Sequence, residues 1–480
     1  MKKYEFLADD PSVNSKMIMT SLIIGAFFAI LNETLLNVAL TTIMEEFEVT
    51  LTTVQWMATG FMLVMGIILP ISALIIQWFT TRQIFLGTMI IFITGTIIAA
   101  CAQNFPMLLT GRMIQAVGTG ALMPVLFNVM LVMYKPAVRG KIMGIIGFVI
   151  MFAPAMGPTL SGVIVEYLGW RYLFIIVVPC VLFAIIFASK YLINVSEVTK
   201  PKIDVLSVLL STIGFGGTIY GFSSVGQSED GFSNPIVIIA IIIGVTSIVL
   251  FAWRQFKLEE PIMNLRVLKY PLFLHAIAMF LIIVMTMFAT EIILPVYMQT
   301  TMLVSAAVVG MAMLPGSLLN GFLSPFMGAL FDKVGPRVMM IPATAVLSVV
   351  LYFYTKINPD TSVWMIVVGF ALIMVSISAT MMPAQTNGLN QLPKELYPHG
   401  SAVMSTLQPL GGAIGVSVFI SILNSKKLAF LANNPGATEN EAMTSAVEFV
   451  YTISFIGALL TFVLALFVRR AEPINLEEEK

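Results

Sequence analysis

The sequence predicts an all-α polytopic membrane protein, and three observations carry that reading. Of 480 residues 58% are hydrophobic and only 10% are charged, against about 25% charged in an ordinary soluble domain. A soluble chain of this length would need several polar-coated domains, and the charges to coat them are missing. The apolar residues fall in long continuous runs, not in the short alternating segments of a β-barrel. Helices satisfy their own backbone polar groups and cross hydrocarbon with about 20 residues each.

Fourteen such runs follow in order. The first six are expected near 17–40, 53–77, 84–102, 107–133, 139–165 and 171–191. Two more lie near 205–223 and 235–255. The last six lie near 271–297, 303–330, 338–355, 362–388, 397–423 and 447–468. The opening segment "MKKYEFLADDPSVNSK" is mixed in charge and lacks a signal-peptide pattern. The first apolar run is therefore expected to stay as a span.

Charge asymmetry predicts the orientation. With the N-terminus inside, twenty lysines and arginines fall in cytoplasmic segments. Only Arg171, Lys356, Lys426 and Lys427 fall outside, and Arg112 lies within a span. Both termini are expected in the cytoplasm. Net charge is zero, so no basic field attracts nucleic acid. Cys101 and Cys180 sit in apolar runs and read as small buried hydrophobes. No Cys/His spacing suits a metal, and no metal or cofactor is expected.

Two loops share a pattern. "GALFDKVGPRVM" (328–339) has the form G-x-L-x-D-x-x-G-x-R, with Gly328, Asp332, Gly335 and Arg337. "SALIIQWFTTRQ" (72–83) is its eroded counterpart. There Gln77 stands in place of the acid and only Arg82 survives, so a latch built on an acid is in question in that half. On its own such a loop reads equally well as a tight polar turn. "GRMIQAVGTGALMP" (111–124) adds Arg112, Gln115, Gly118 and Gly120. "APAMGPTLSG" (153–162) adds Pro154, Gly157, Pro158 and Gly162. Together these resemble the inner-loop, fourth-helix and fifth-helix motifs of the major facilitator superfamily. "LNETLLNVAL", "VQWMATGFML", "LPVYMQ" and "QPLGGAIGV" extend the resemblance to its fourteen-helix drug:proton antiporters. It comes closest to Gram-positive exporters of the lincomycin-resistance type.

The resemblance implies a 6+2+6 architecture. Residues 1–195 would form one six-helix bundle, 196–262 two extra helices, and 263–480 the second bundle with its tail. It implies alternating access around a cleft between the bundles, with cargo near mid-membrane. It also implies that the fifth helix limits leakage and that Arg112 is linked to proton transfer. Physically, two prolines four apart bend a helix, and small residues let helices approach closely. A kinked packing helix is the plainer reading.

Glu33 interrupts the run "AILNETLLNVAL". It lies past mid-membrane, roughly 24 Å along a span that starts inside. A carboxylate there costs a few kcal/mol at least ("a few" being about 2.5–3.5 on insertion scales) and is kept for a cavity, a partner or proton traffic. Glu33 is the first candidate for proton coupling, for recognising cationic drugs, or for both. A protonated Glu hydrogen-bonded to a neighbouring helix is the plainer reading. In relatives the acid more often sits one place earlier, where this chain has Asn32, about 100° round the helix.

Arg112 stays charged and must see an anion, carbonyls or water; a purely structural role is its alternative. Glu291, four residues before Pro295, is the other acid within a span, with a proton or drug role or a solvated vestibule position. Glu166 and Glu448 read as acids at outer helix ends, and His275 and His399 as interfacial. The pocket candidates are Asn32, Glu33, Gln55, Trp56, Phe61, Gln115, Met123, Asn128 and Glu291. Aromatic rings attract cations, and the 33 Met and 34 Phe suit a promiscuous apolar surface. Most of them must simply face lipid or core.

No GxxxxGK[ST] motif is present, so ATP is not the expected energy source. One charge across 100 mV yields about 2.3 kcal/mol, and one pH unit adds about 1.4. Together they sustain a gradient of roughly a few hundred-fold per proton. The sequence thus reads as a monomeric, proton-coupled exporter of amphipathic drugs in the cytoplasmic membrane, with small amphipathic substrates, protons and the lipid bilayer as its partners. An exporter dedicated to one endogenous metabolite is the near alternative. A membrane enzyme is the remote one, since two histidines without a nucleophile cluster supply no catalytic site.

Overall fold

The computed structural model describes residues 6–36, 39–49, 51–54, 56–196, 198–225, 231–304 and 306–471; within these, only the backbone is described at Thr41, Leu51, Thr52, Met151, Ala155, Pro158, Thr159, Gly231, Ala306 and Ala307. Gln55 lies outside the described residues. Fourteen helices are long and apolar enough to cross a membrane, and no strand occurs among the described residues. The first bundle holds α1 (Ser15–Leu35), α2 (Trp56–Trp78), α3 (Thr81–Ala100), α4 (Phe105–Met133), α5 (Pro136–Leu168) and α6 (Tyr172–Tyr191). Next come α7 (Val205–Val225) and α8 (Pro235–Lys257). The second bundle holds α9 (Pro271–Thr300), α10 (Ala306–Val334), α11 (Pro336–Tyr354), α12 (Val363–Asn390), α13 (Tyr397–Asn433) and α14 (Glu439–Leu466).

Local chemistry sets the helix starts. Proline opens α5, α8, α9 and α11, where its missing N–H costs nothing. Asn14, Asn104 and Asn234 cap α1, α4 and α8 with their side-chain oxygens. Capping boxes start α3 (Thr80 with Gln83) and α14 (Thr438 with Glu441). Gly335, at φ 80°, takes the left-handed conformation that turns α10 into α11.

Several boundaries differ from the sequence expectation. α1 ends at Leu35 and a short helix, Leu40–Glu46, follows. That turn brings Glu46 to the α5–α6 connection, where Arg171 pairs with it at 2.7 Å and the Trp170 indole donates to it at 2.6 Å. Partial burial pushes the Glu46 carboxyl up, but those two donors and the Arg171 charge hold it below the usual carboxylate range. α4 breaks at Ala121, because Pro124 cannot donate to the carbonyl four residues earlier. α13 runs ten residues past its expected end, and α14 starts eight residues early, with Lys427 paired to Glu439 across the turn. Glu448 consequently lies in the third turn of α14, not at its end. Cys101, expected buried, is exposed at the end of α3.

Packing follows the chain order. α1–α6 pack among themselves, α9–α14 do the same, and α7 pairs with α8. Two seams join the groups, α5 against α10 and α2 against α13. Both ends of the described chain meet one end of the molecule, the terminal face. There the Phe6 ring lies under Arg139 and Lys394, and Asn387 of α12 holds Arg469 and Ala471.

Candidate functional site

The site starts from a buried arginine. Arg112 projects from α4 and is 1% exposed. Its Nη1 donates to the Asn32 side chain on α1 at 2.9 Å and to Gln115 at 3.0 Å. Gln115, wholly buried, passes the contact on to Thr96 of α3 at 2.8 Å. The guanidinium lies 4.4 Å from the centre of the Phe61 ring on α2, a cation–π geometry in a desolvated place. Four helices thus converge on one charge. Arg112 Nε and Asn32 Nδ2 have no partner among the described residues.

Glu33 follows Asn32 but points elsewhere. It is partly exposed, and its carboxyl acts on Arg112 through space. The next residue, Thr34, packs onto Gly157 of α5, where any Cβ would collide with its hydroxyl and backbone. The fifth-helix motif therefore seats α1 at the level of the acid. Pro154 lies on the same helix half a turn or more earlier, and a Cβ at Gly162 would meet open space.

Of the remaining candidates, Trp56 stacks on Tyr220 of α7 with centroids 5.7 Å apart. Met123 is half-buried against the core. Asn128 is not in the cluster; it donates to Ser196 in the segment after α6. Glu291 belongs to the opposite bundle, on α9, partly exposed, and has no hydrogen-bond or ion-pair partner among the described residues.

The inner-loop motif lies at the terminal face. Gly328 of α10 abuts the backbone of Gly140 on α5 so closely that neither could carry a Cβ unmoved. The Asp332 carboxylate accepts the N–H groups of Gly140 (2.8 Å) and Lys141 (2.7 Å), and its carbonyl accepts from Arg470 (2.9 Å). Arg337 is exposed. On the other seam Gln77, at the eroded position, lies 3.4 Å from His399 at the start of α13.

Sequence reasoning missed two residues here. His399, expected at the interface, is 6% exposed, because α13 packs its first turn against α2 and the Asn264 N–H donates to its ring. Arg139, counted among the loop charges, is fully buried. It donates to Asn390 (2.8 Å), to the Tyr397 hydroxyl (3.0 Å) and to the carbonyls of Leu131 and Tyr134. Two of these partners, Asn390 and Tyr397, come from the other bundle, 251 and 258 residues away, so no local pattern marks them. At the terminal face Arg139 thereby ties the two bundles together.

The sequence model described as Major Facilitator Superfamily matches residues 22–416. The chain is 45% identical to the lincomycin resistance protein LmrB of Bacillus subtilis (strain 168) over 459 residues, 95% of this chain and 96% of that one. It is 44% identical to the protein of the same name from Listeria monocytogenes, over 95% of this chain and 97% of that one. The fold is similar to that of the human organic anion transporter MFSD10 (TETRAN), with TM-score 0.63, 14% identity, and 94% and 99% of the two chains covered. The chain is an integral membrane protein and a transporter, not an enzyme, and it belongs to the Major Facilitator Superfamily.

Proposed function

We propose that this protein exports amphipathic drugs by exchanging them for protons, with residues 1–195 and 263–480 as the two moving bundles and 196–262 as an inserted helix pair. The observation that carries this reading is the Arg112 cluster with Glu33 beside it. Support also comes from the lincomycin resistance proteins, similar over nearly their whole length. The terminal face is taken as cytoplasmic, on the excess of basic residues in its segments. The working unit is taken as one chain.

The shift of the acid from position 32 to 33 then divides two tasks. Asn32, neutral, keeps Arg112 hydrogen-bonded at all times. Glu33 is left free to hold a proton or a cationic cargo, one at a time. With Glu33 neutral, the Arg112 charge rests on Asn32, Gln115 and the Phe61 ring alone. With Glu33 ionised, it gains a counter-charge. Protonation therefore changes the electrostatic balance between α1 and α4, next to the Thr34–Gly157 contact that seats α1 on α5. Glu291, on the facing bundle, is the second candidate for cargo or proton, and Trp56, Phe61 and Met123 are proposed to line the apolar part of the cleft.

The test is transport into inverted membrane vesicles under an imposed pH gradient. Acid-driven uptake of several chemically unrelated amphiphiles is expected, weakened at least tenfold in Glu33→Gln. Movement of a single compound class points instead to a dedicated metabolite exporter. Movement that ignores both pH and voltage contradicts the exchange.

A further inference from the structure

The two seams between the bundles are not equally open to lipid. The α2–α13 seam carries a third helix along its length. At the terminal face the N–H groups of Thr199 and Lys200, just before α7, donate to the Gln77 carbonyl (3.0 and 3.2 Å), and the Trp78 indole donates to the Pro201 carbonyl (2.8 Å). Midway, Ile219 of α7 occupies the space above Gly66, and Ile67 of α2 the space above Gly216. Toward the far face Tyr220 stacks on Trp56, and Ser417 of α13 donates to the Phe222 carbonyl. α7 thus touches both sides of the seam, and α8 backs it from outside.

The α5–α10 seam has no such cover; α7 and α8 make no comparable packing there among the described residues. Its terminal half is zipped by Gly140 against Gly328 and by Gly144 against the Ser324 carbonyl. At the upper end of the zip three rings meet. Phe148 stacks on Phe152 at 4.7 Å, and both lie against Phe322, at 5.6 and 5.2 Å. Phe322 is 52% exposed. Beyond the rings lie two glycines with open space beside them. A Cβ at Gly162 or Gly310 would meet nothing within 4 Å, and Tyr167 and Met311 are exposed.

We propose that aromatic amphiphiles dissolved in the bilayer pass between lipid and the cleft through the α5–α10 seam alone, across the Phe148–Phe152–Phe322 rings, because α7 closes the α2–α13 seam. Such solutes concentrate in hydrocarbon, so a gap between bundles is a shorter path for them than one through water. Ring faces and edges receive aromatic and cationic groups without demanding one shape. The direction of traffic rests on the exporter reading above; the one-sidedness of the path does not.

The test is photolabelling of the full chain in liposomes with a membrane-dissolved aryl-diazirine amphiphile, with and without excess tetraphenylphosphonium. Competed label is expected on α5 and α10 at the seam. Competed label on α2, α13 or the inner side of α7 overturns the proposal. In parallel, Gly162→Trp combined with Gly310→Trp fills room that the fold leaves free. Gradient-driven export of a bilayer-partitioned dye should fall at least fivefold in that variant, while Ile213→Trp on the lipid side of α7 leaves it unchanged. Export at the parent rate in the double variant overturns the proposal. If the parent exports nothing while competed label stays on α5 and α10, the exporter reading fails and the path stands.

Discussion

Arg112 of α4 is held by Asn32 of α1 at 2.9 Å, while the carboxyl of Glu33, one residue on, stays outside that bond. A buried arginine thus has a neutral hydrogen-bond partner and a separate acid neighbour that acts on it through space. Asn32→Asp would merge the two roles by placing a second carboxylate directly on the guanidinium. That variant is expected to fold, with a melting temperature in detergent at or above the parent's. Its gradient-driven transport should fall at least tenfold, because the arginine would be neutralised whatever Glu33 does. Parent-level transport in Asn32→Asp would show that the separation is not functional.

Arg139 predicts a stability loss with a conformational signature. Its head group makes four hydrogen bonds, two of them to Asn390 and Tyr397 across the bundles. Arg139→Ala leaves those acceptors without it, and each buried unpaired group costs about 1–3 kcal/mol. The melting temperature should drop by several degrees. A cysteine placed at Ser324, buried in the zipped seam, should become reactive to a water-soluble maleimide. Tyr397→Phe should do less, since it removes one bond of the four.

Gly328 predicts a change of state more than of stability. A methyl group there must push α10 away from the Gly140 carbonyl. Gly328→Ala should favour the conformation open at the terminal face, seen as raised maleimide labelling of the same seam cysteine. Asp332→Asn keeps the shape but weakens the hold on the Gly140 and Lys141 N–H groups, and should raise labelling by a smaller factor.

Much of this could be read from the chain. Long apolar runs are set by the bilayer's thickness, so the fourteen helices and most of their limits were legible within a few residues. Glu33 and Arg112 stood out because charge is costly in hydrocarbon. Their geometry did not stand out, since the Arg112–Asn32 bond joins residues 80 apart in sequence. Arg139 and His399 were illegible for a related reason. Both sit at helix starts, where polar residues are expected at the water boundary, and only the docking of one bundle on the other buries them. The extension of α13 to Asn433 was hidden because helix length beyond the bilayer is set by capping and pairing, here Thr438, Glu441 and Lys427 with Glu439.

The helix pair outside the two bundles carries a pH prediction. Asp204, just before α7, accepts two hydrogen bonds from Arg254 of α8, at 2.6 and 2.9 Å, and one from Ser207. The Arg254 bonds, then Ser207 and the Arg254 charge, outweigh burial and hold the carboxyl down to about 2. A carboxyl depressed on folding stabilises the fold above its ordinary range near 3.9, and the contribution is lost as pH falls toward 2. Asp204→Asn should therefore melt a few degrees below the parent at pH 7. The difference should shrink as pH is lowered from 4 toward 2.5. A gap that is constant with pH would mean that shape, not charge, sets the contribution.

Proton counting on cargo binding tests the central claim most directly. The purified protein in weakly buffered detergent solution would be titrated with a cationic amphiphile while released protons are measured. The parent should release protons in proportion to cargo bound, and Glu33→Gln should bind cargo with that release lost or at least halved. Release from Glu33→Gln equal to the parent's, or none from either, would contradict the account.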